Sequence, residues 1–168
     1  MRRRTPVDLQ HLIAQAKSGR CFICEFLRGT PGYEHVEIYR TGSAIAFLNK
    51  YPTLFGYVIV APIPHVEQVT GDFTESEYLE TQRLIYRVSE AIRQELRPER
   101  IYLLSLGSQA ANAHVHWHIA PLPPGVPLEE QQFYALMHEH GHVDVSSDEQ
   151  QELAARLRRR LASPGLIS

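Results

Sequence analysis

Residues 113–120 read Ala-His-Val-His-Trp-His-Ile-Ala, and this stretch decides how the rest of the chain is interpreted. Polar and apolar residues alternate strictly, which is typical of a β-strand with its period of two. A strand here would place His114, His116 and His118 on one face, with neighbours about 6.6 to 7 Å apart along the chain. Three imidazoles in register beside an apolar face indicate a chemical site. The alternative is a row of solvated or core histidines.

Composition restricts the class of protein. A chain of 168 residues with 43% hydrophobic and 21% charged residues suits one globular domain with a buried core. The net charge of −2 argues against a general nucleic-acid binder. The basic clusters 2–4 and 156–160 are interpreted as a solvated tail and the end of a helix.

The sequence also bears on location. It contains neither an apolar run long enough to span a membrane nor a secretion signal, so no membrane partner is expected. The two cysteines lie close together and form no disulfide framework, which suits a reducing cytoplasm. The predicted location is therefore cytoplasmic.

The segments upstream of the histidine stretch predict an α+β fold. Thr74 followed by Glu77 resembles a capping box that begins a long helix, and Pro98 would end this helix. Four further segments have strand-like patterns bounded by glycine, proline or polar residues. The strands are predicted at 36–41, 44–49, 56–62 and 100–106, and the helix at 74–96. We therefore expect an antiparallel sheet of about five strands with one long helix packed on it.

The remaining segments are predicted to belong to the same domain. Residues 1–20 are expected to form a loose arm followed by a short helix, and residues 21–122 the domain proper. Residues 123–168 are expected to form a C-terminal helical extension packed on that domain. Within this extension, the apolar patterns predict helices at 128–137 and 148–162, the second of them capped by a serine at 147.

Two further groups of residues carry metal-binding chemistry. His138, His140 and His142 stand in a polar, glycine-broken stretch, which favours a solvated loop over a set of metal ligands. Cys21 and Cys24 form a Cys-x-x-Cys pair. Such a pair can be a redox couple, half of a zinc site or two small apolar side chains.

The chemistry of imidazole leaves several mechanisms open for the triad. His116 is central, and its ring could attack phosphorus if its other nitrogen donates to an acceptor such as a backbone carbonyl. A neighbouring histidine could then stabilise phosphoryl charge. One alternative is a zinc enzyme in which His114, His116 and His118 hold a metal-bound water. Another is a nucleotide-binding protein with little turnover.

The order His-φ-His-φ-His-φ-φ over residues 114–120, with φ apolar, resembles the signature of the histidine triad (HIT) family of nucleotide hydrolases and transferases. The resemblance is to the Hint and Fhit kinds of member and covers residues 21–122. The following motifs stand in the family's order and spacing: Cys21-x-x-Cys24, Phe47-Leu48-Asn49, Gly56-x-Val58-Ile59-Val60-x-Pro62 and His65.

The resemblance implies roles for individual residues. His116 would attack the α-phosphate of a nucleotide to form a covalent histidine–nucleotidyl intermediate, and His118 would contact the phosphate. Asn49 would lie near the nucleotide. The implied lining of the base and ribose pocket consists of Ile38, Phe47 and Leu48.

The segment before the triad departs from the family's pattern. Residues 105–112 lack the Gly-Gln-Ser/Thr run of typical members. Ser108, Gln109 and Asn112 are the polar residues that could contact the phosphate and the leaving group instead. Tyr57 stands where many members have a histidine. The implied substrates are dinucleoside polyphosphates or nucleoside phosphoramidates, with an adenine nucleotide favoured and phosphorolysis as a variant.

The resemblance also implies a metal and an assembly. Several bacterial members of the Hint branch hold structural zinc with four residues that this chain has as Cys21, Cys24, His65 and His114. Two thiolates and two imidazoles form a closed tetrahedral site that leaves no position for water. The alternative is a pair of unmetallated cysteines packed as small hydrophobes. No organic cofactor is implied, and a homodimer is expected because Hint and Fhit relatives are usually dimers.

Overall fold

The computed structural model describes residues 2–17 and 19–163, whose centre is a five-stranded antiparallel sheet with helices on both faces. In chain order the elements are β1 (Arg4–Thr5), α1 (Leu9–Ala16), α2 (Phe22–Arg28), β2 (Glu37–Arg40), β3 (Ala44–Leu48), β4 (Val58–Pro62), α3 (Glu75–Leu96), β5 (Arg100–Ser105), β6 (Trp117–Leu122), α4 (Phe133–Leu136), β7 (His142–Val143) and α5 (Ser147–Ala162). The sheet order is β2-β3-β4-β6-β5, and β1 pairs separately with β7. The predicted α+β class, the five-stranded sheet and the long helix are confirmed. The end of the predicted extension, residues 164–168, lies outside the described residues.

The first face of the sheet carries the main core. Trp117 and Ile119 of β6 point to this face and pack with the apolar stripe of α3, which includes Val88 and Ile92. Helix α5 packs against α3 and adds the leucines of its own stripe, such as Leu157. Each fully buried leucine or isoleucine stabilises the fold by about 1.5–3 kcal/mol. None of the helices within the described residues is long and apolar enough to cross a membrane.

Two separate segments pack on the second face of the sheet. Helix α2 covers β3 and β4, where Ile23 packs against Phe47 and Ile59. The C-terminal extension covers the end of β6, where Ala135 of α4 packs in one cluster with Leu122. Since residues on a strand alternate between faces, His118 of β6 lies on this second face. The histidines therefore occupy the gap between α2 and the extension.

The predicted strand at 113–120 is wrong in its first half, because β6 begins only at Trp117. The neighbouring strand β4 ends at Pro62, which has no N–H to continue a ladder. Beyond the strand, the Val115 amide donates to the Val66 carbonyl at 2.8 Å. Val115 still packs into the main core. The alternation of faces therefore persists beyond the hydrogen-bonded strand.

Helices outside the sheet region were predicted less accurately. The single helix expected at 128–137 is instead the four-residue α4 flanked by 3-10 turns at Leu128–Glu130 and His138–His140. Gln132, which has a φ of 54°, interrupts the helical path. Helix α5 is capped by Ser146 rather than by Ser147, and Ser146 shares a capping box with Glu149. Helix α2 was not predicted.

The N-terminal arm is not the loose, solvated tail that the sequence suggested. Its strand β1 pairs with β7 of the extension, with Arg4 opposite Val143. The Arg4 guanidinium donates to the Ala135 carbonyl at 2.7 Å, and Arg2 pairs with Glu149 at 2.8 Å. The arm therefore holds the extension against the sheet.

Candidate active site and metal cluster

His114 lies at the centre of the site and has both ring nitrogens engaged. Its Nε2 is 3.0 Å from the carbonyl oxygen of Pro62. A carbonyl only accepts hydrogen bonds, so Nε2 carries the hydrogen and Nδ1 keeps its lone pair in the neutral ring. This Nδ1 lies 3.3 Å from Cys21 Sγ and 3.6 Å from Cys24 Sγ. The buried ring is therefore oriented as a ligand facing two sulfurs.

His65 completes a cluster of four potential metal ligands. Its Nδ1 lies 3.3 Å from Cys24 Sγ, while its Nε2 donates to the Glu67 carboxylate at 3.1 Å. The four ligand atoms of Cys21, Cys24, His65 and His114 all lie within 4.8 Å of one another. Ligand atoms of a tetrahedral zinc site are separated by roughly 3.3–3.8 Å, given its bond lengths. Carbonyl and carboxylate acceptors behind the two imidazoles are the usual second shell of such a site.

The start of helix α2 positions both cysteines. Cys21 is the residue that caps α2, and its sulfur accepts a hydrogen bond from the Cys24 amide at 3.4 Å. Burial and the neighbouring Cys21 raise the pKa of the Cys24 thiol to about 11. Burial also lowers the pKa of His114 to about 4. A metal ion bound here would therefore displace thiol protons, while His114 is already neutral.

His116 has the geometry of a nucleophile. Its Nδ1 lies 2.7 Å from the backbone carbonyl of His114, so Nδ1 carries the hydrogen and Nε2 has a free lone pair. Burial lowers the pKa of His116, which keeps the ring neutral near neutral pH. The Ser105 hydroxyl donates to the backbone carbonyl of His116 at 2.8 Å and fixes the chain at this point.

His118 stands beside the nucleophile. The two ring centroids are 4.8 Å apart, and the Tyr57 ring meets His118 edge-on at 5.7 Å. Burial, reinforced by the nearby His116 and His138 rings, lowers the pKa of His118 to about 3. His118 is therefore neutral near neutral pH, and a hydrogen bond with the backbone of Leu106 only partly opposes this lowering of its pKa.

An aromatic cluster borders His116 on the α2 side. The Phe22 ring meets His116 edge-on at 5.7 Å. His35 lies among Phe22, Phe26 and Phe47, with ring centroids 5.8, 5.1 and 4.9 Å away. Burial lowers the pKa of His35 to about 4. Of the predicted pocket lining, Phe47 is thus on the same face as the histidines.

The other predicted lining residues lie elsewhere. Ile38 and Leu48 are buried in the main core, on the opposite face of the sheet, so they do not border His116. Phe47 and Leu48 are neighbours on β3, and neighbouring strand residues cannot face the same pocket. Asn49 uses its side-chain oxygen to accept from the Tyr51 amide at 2.9 Å.

The three polar residues predicted to contact phosphate lie in an exposed turn between β5 and the triad. Ser108 closes this turn through backbone hydrogen bonds with Ala111. The turn stands over His116, because a Cβ on Gly107 would lie 3.9 Å from Cε1 of that ring. Ser108, Gln109 and Asn112 are all solvent-exposed. They are therefore near the nucleophile and free of the core.

The geometry disfavours the alternative in which the three triad histidines share a metal. His114 directs Nδ1 to the cysteines, whereas His116 directs Nδ1 to a backbone carbonyl. Within residues 2–17 and 19–163, the metal-ligand cluster found is the one with two cysteines and two histidines. His138, predicted to lie in a solvated loop, is instead half-buried, and its Nε2 donates to the Tyr51 carbonyl at 2.9 Å.

The part of the chain that carries the triad also has relatives among known proteins. The family model described as HIT domain matches residues 32–124, which is more than half of the chain. The chain belongs to the HIT family. The match does not extend to α1, α2 or most of the C-terminal extension. The five-stranded sheet, α3 and the triad all lie inside it.

Among HIT relatives, an adenosine 5'-monophosphoramidase from Schizosaccharomyces pombe is 26% identical over 129 residues, covering 69% of this chain and 92% of the relative. A histidine triad nucleotide-binding protein from Sulfolobus tokodaii has a similar structure, with a TM-score of 0.67 at 22% identity, covering 84% of this chain and 91% of the other. A zinc-bound histidine triad family protein from Mycobacterium smegmatis gives a TM-score of 0.65 at 20% identity, covering 84% of this chain and 93% of the other. The Sulfolobus and Mycobacterium structures share the fold of this chain.

The low pKa of His35 predicts a pH dependence of stability. The unfolded chain protonates this ring near pH 6.5, whereas the folded protein protonates it only near pH 4. At pH 7 the His35 ring is neutral in both the folded and the unfolded state, so the stabilisation from burying it is fully present. This stabilisation is lost as the pH falls below 6.5. Between pH 6 and pH 4.5, the free energy of unfolding of the parent should fall more steeply than that of His35→Leu, by about 1.4 kcal/mol per pH unit.

Urea unfolding measured at several pH values tests this expectation. His11→Leu, which replaces an exposed histidine on α1, is the matched control and should keep the slope of the parent. Equal slopes for the parent and His35→Leu would show that this imidazole is hydrated in the folded protein.

Proposed function

We propose that the chain is a nucleotide-phosphate hydrolase or nucleotidyl transferase that works through a covalent His116–nucleotidyl intermediate. The observation that carries this proposal is the hydrogen bond from His116 Nδ1 to the His114 carbonyl, which leaves Nε2 as a free nucleophile. The similarity to an adenosine 5'-monophosphoramidase supports an adenine nucleotide as substrate. We place the enzyme in the cytoplasm and, by its motifs, near the Hint and Fhit members of the family.

The reaction would proceed in two steps. In the first step, His116 Nε2 attacks the α-phosphorus, forming a P–N bond as the bond to the leaving group breaks. A leaving amine takes up a proton, whereas a leaving phosphate departs as an oxyanion. In the second step, water attacks the same phosphorus, breaks the bond to His116 and releases the nucleoside monophosphate. Inorganic phosphate in place of water would give the nucleoside diphosphate, which is the phosphorolytic variant.

His118 and the turn before the triad would bind the phosphoryl group. His118 lies beside the nucleophile, so its ring can contact the phosphoryl group during the attack. Ser108, Gln109 and Asn112 present polar groups above His116 and would contact the phosphate or the leaving group. Phe22 and Phe47 would form the apolar side of the site, on which a nucleobase can pack.

The mechanism predicts the effect of removing the nucleophile. His116→Asn should lower turnover of adenosine 5'-phosphoramidate by roughly a thousandfold or more, because no covalent intermediate can form. Binding of adenosine monophosphate, measured by calorimetry, should persist. Parent protein quenched in alkaline denaturant should carry a nucleotidyl adduct that acid then removes, and this adduct should be absent from His116→Asn.

The control for this experiment is His140→Asn, which changes an exposed histidine stacked on Tyr134 at 3.7 Å. It should retain the turnover of the parent. A His116→Asn variant that retains full turnover would refute the covalent mechanism, and a parent without turnover on any nucleotide would indicate a binding protein instead.

We infer that Cys21, Cys24, His65 and His114 bind a structural zinc ion. The four donor atoms fit the set preferred by zinc, and both imidazoles have the expected acceptors behind them. Bound zinc would tie α2 to the segment that carries His114. The ion would have no open coordination position, so its contribution would be to hold His114 and thereby the carbonyl that orients His116.

Metal analysis tests the zinc site. The parent is expected to contain one zinc ion per chain by elemental mass spectrometry, whereas Cys24→Ser should contain none and should melt at a lower temperature. Cys24 is chosen because Cys21 also caps α2. His140→Asn is again the control and should keep its zinc. A chelator should lower the melting temperature of the parent to that of Cys24→Ser, and an unchanged value would contradict a structural role.

We also infer a homodimer that uses the free edge of the sheet. Strand β5 is an edge strand, and its Leu103 is 54% exposed on the side of the sheet that faces α3. Leu79 and Tyr86 of α3 are exposed as well. A second copy would cover these apolar side chains and the unpaired backbone of β5.

Sedimentation equilibrium should give twice the mass of one chain, and Leu103→Arg should give the mass of a monomer; a monomeric parent would refute the dimer.

A further inference from the structure

The C-terminal extension forms one wall of the candidate active site. His118, Ala120 and Leu122 alternate along β6 and share the second face of the sheet. Ala120 and Leu122 pack in one cluster with Tyr57 and with Ala135 of α4. The Tyr57 ring also contacts His118 at 5.7 Å. Helix α4 is therefore adjacent to His118, although it lies outside the part of the chain that matches the HIT domain.

The wall carries a fourth imidazole. His138 begins the 3-10 turn that follows α4, and its Nε2 lies 2.9 Å from the Tyr51 carbonyl. Tyr51 belongs to the same loop that leads into Tyr57. A protonated His138 would repel a protonated His118, which is why its presence helps to lower the pKa of His118. The two rings therefore lie within electrostatic reach of each other.

The hydrogen bond to Tyr51 determines which nitrogen of His138 faces a ligand. Because a carbonyl only accepts, Nε2 carries the hydrogen, and Nδ1 of the neutral ring is an acceptor. Among the described residues, the side-chain hydrogen bond of His138 is the one from Nε2 to Tyr51, which leaves Nδ1 for another donor. The residue is half-buried, so part of its side chain remains open to a ligand.

Contacts on both sides hold His138 in this position. On one side, Arg4 donates to the carbonyl of Ala135 at 2.7 Å and secures α4. On the other side, β7 pairs with β1 directly after the 3-10 turn that contains His138. A side chain in a preorganised position loses little entropy when it binds a substrate.

Resting on the proposed function, we propose that His138 is a substrate-binding residue for the leaving group. Its Nδ1 accepts a hydrogen bond from the leaving amine of a nucleoside phosphoramidate and so favours cleavage of P–N over P–O bonds. When His116 Nε2 attacks, the P–N bond to the amine breaks and the departing nitrogen takes up a proton from solvent. The N–H groups of that nitrogen become more positive, so the hydrogen bond to His138 strengthens in the transition state.

The test compares two substrates that share adenosine monophosphate and differ in the leaving group. Adenosine 5'-phosphoramidate offers N–H groups, whereas the p-nitrophenyl ester of adenosine monophosphate offers none. The variant is His138→Phe, which keeps a ring but removes the acceptor, and the matched control is His140→Phe on the same turn. Formation of the His116 adduct is measured in single turnovers at pH 8, where ordinary imidazoles are neutral.

The expected result is a loss that depends on the leaving group. His138→Phe should slow adduct formation from the phosphoramidate by about ten- to a hundredfold and leave the ester unchanged. His138→Gln, whose amide can donate to Tyr51 and accept from the amine, should recover part of the rate. Hydrolysis of the adduct should be the same in all variants, because the amine has already departed. A loosened wall would slow both substrates, so equal losses, or none, would overturn the role of His138.

The two proposals fail in different ways. If the parent cleaves both substrates and His138→Phe behaves like His140→Phe, the assignment of His138 is wrong while the proposed function stands. If the parent cleaves neither substrate, the proposed function falls, and calorimetry decides the assignment. In that case, His138→Phe must weaken binding of adenosine 5'-phosphoramidate but not of adenosine monophosphate; an equal effect on both would overturn it.

Discussion

The hydrogen bond of 2.7 Å between the His116 ring and the His114 carbonyl is the constraint on which the candidate site depends. It sets the tautomer of His116 and thus decides which nitrogen can react. The same His114 directs its own ring to Cys21 and Cys24 and donates to Pro62. One residue therefore connects the cysteine-histidine cluster, the end of β4 and His116, and a displacement of any of them would move Nε2 of His116.

Much of this arrangement could be predicted from the sequence because it follows from local periodicity. The alternation at residues 113–120 assigned the histidines and Trp117 to opposite faces, and the structure confirms that assignment. A strand also needs hydrogen bonds to a neighbouring strand. β4 ends at Pro62, which has no N–H to extend the ladder, so β6 is shorter than the alternating pattern. The same rule excludes Leu48 from the predicted pocket lining, because Phe47 lies on the face of the histidines and the two residues are consecutive.

The remaining parts of the site depend on contacts that no local pattern contains. Helix α2 has a local signal in the helical spacing of Phe22, Ile23, Phe26 and Leu27 before Gly29, but the Cys-x-x-Cys pattern overlaps it. The pairing of β1 with β7 joins two-residue strands from distant parts of the chain, too short to show a period. His138 lies in a polar sequence, and only its bond to Tyr51 distinguishes it from the exposed His140.

The pairing of β1 with β7 also has a consequence for the order in which the protein takes shape during translation. Arg4 and Thr5 leave the ribosome well before their partners, His142 and Val143, because all five strands of the main sheet lie between them in the sequence. By then every strand of the main sheet, both cysteines and the whole triad are already available to fold. The face that carries the triad can thus be assembled before the pairing of β1 with β7 secures the extension.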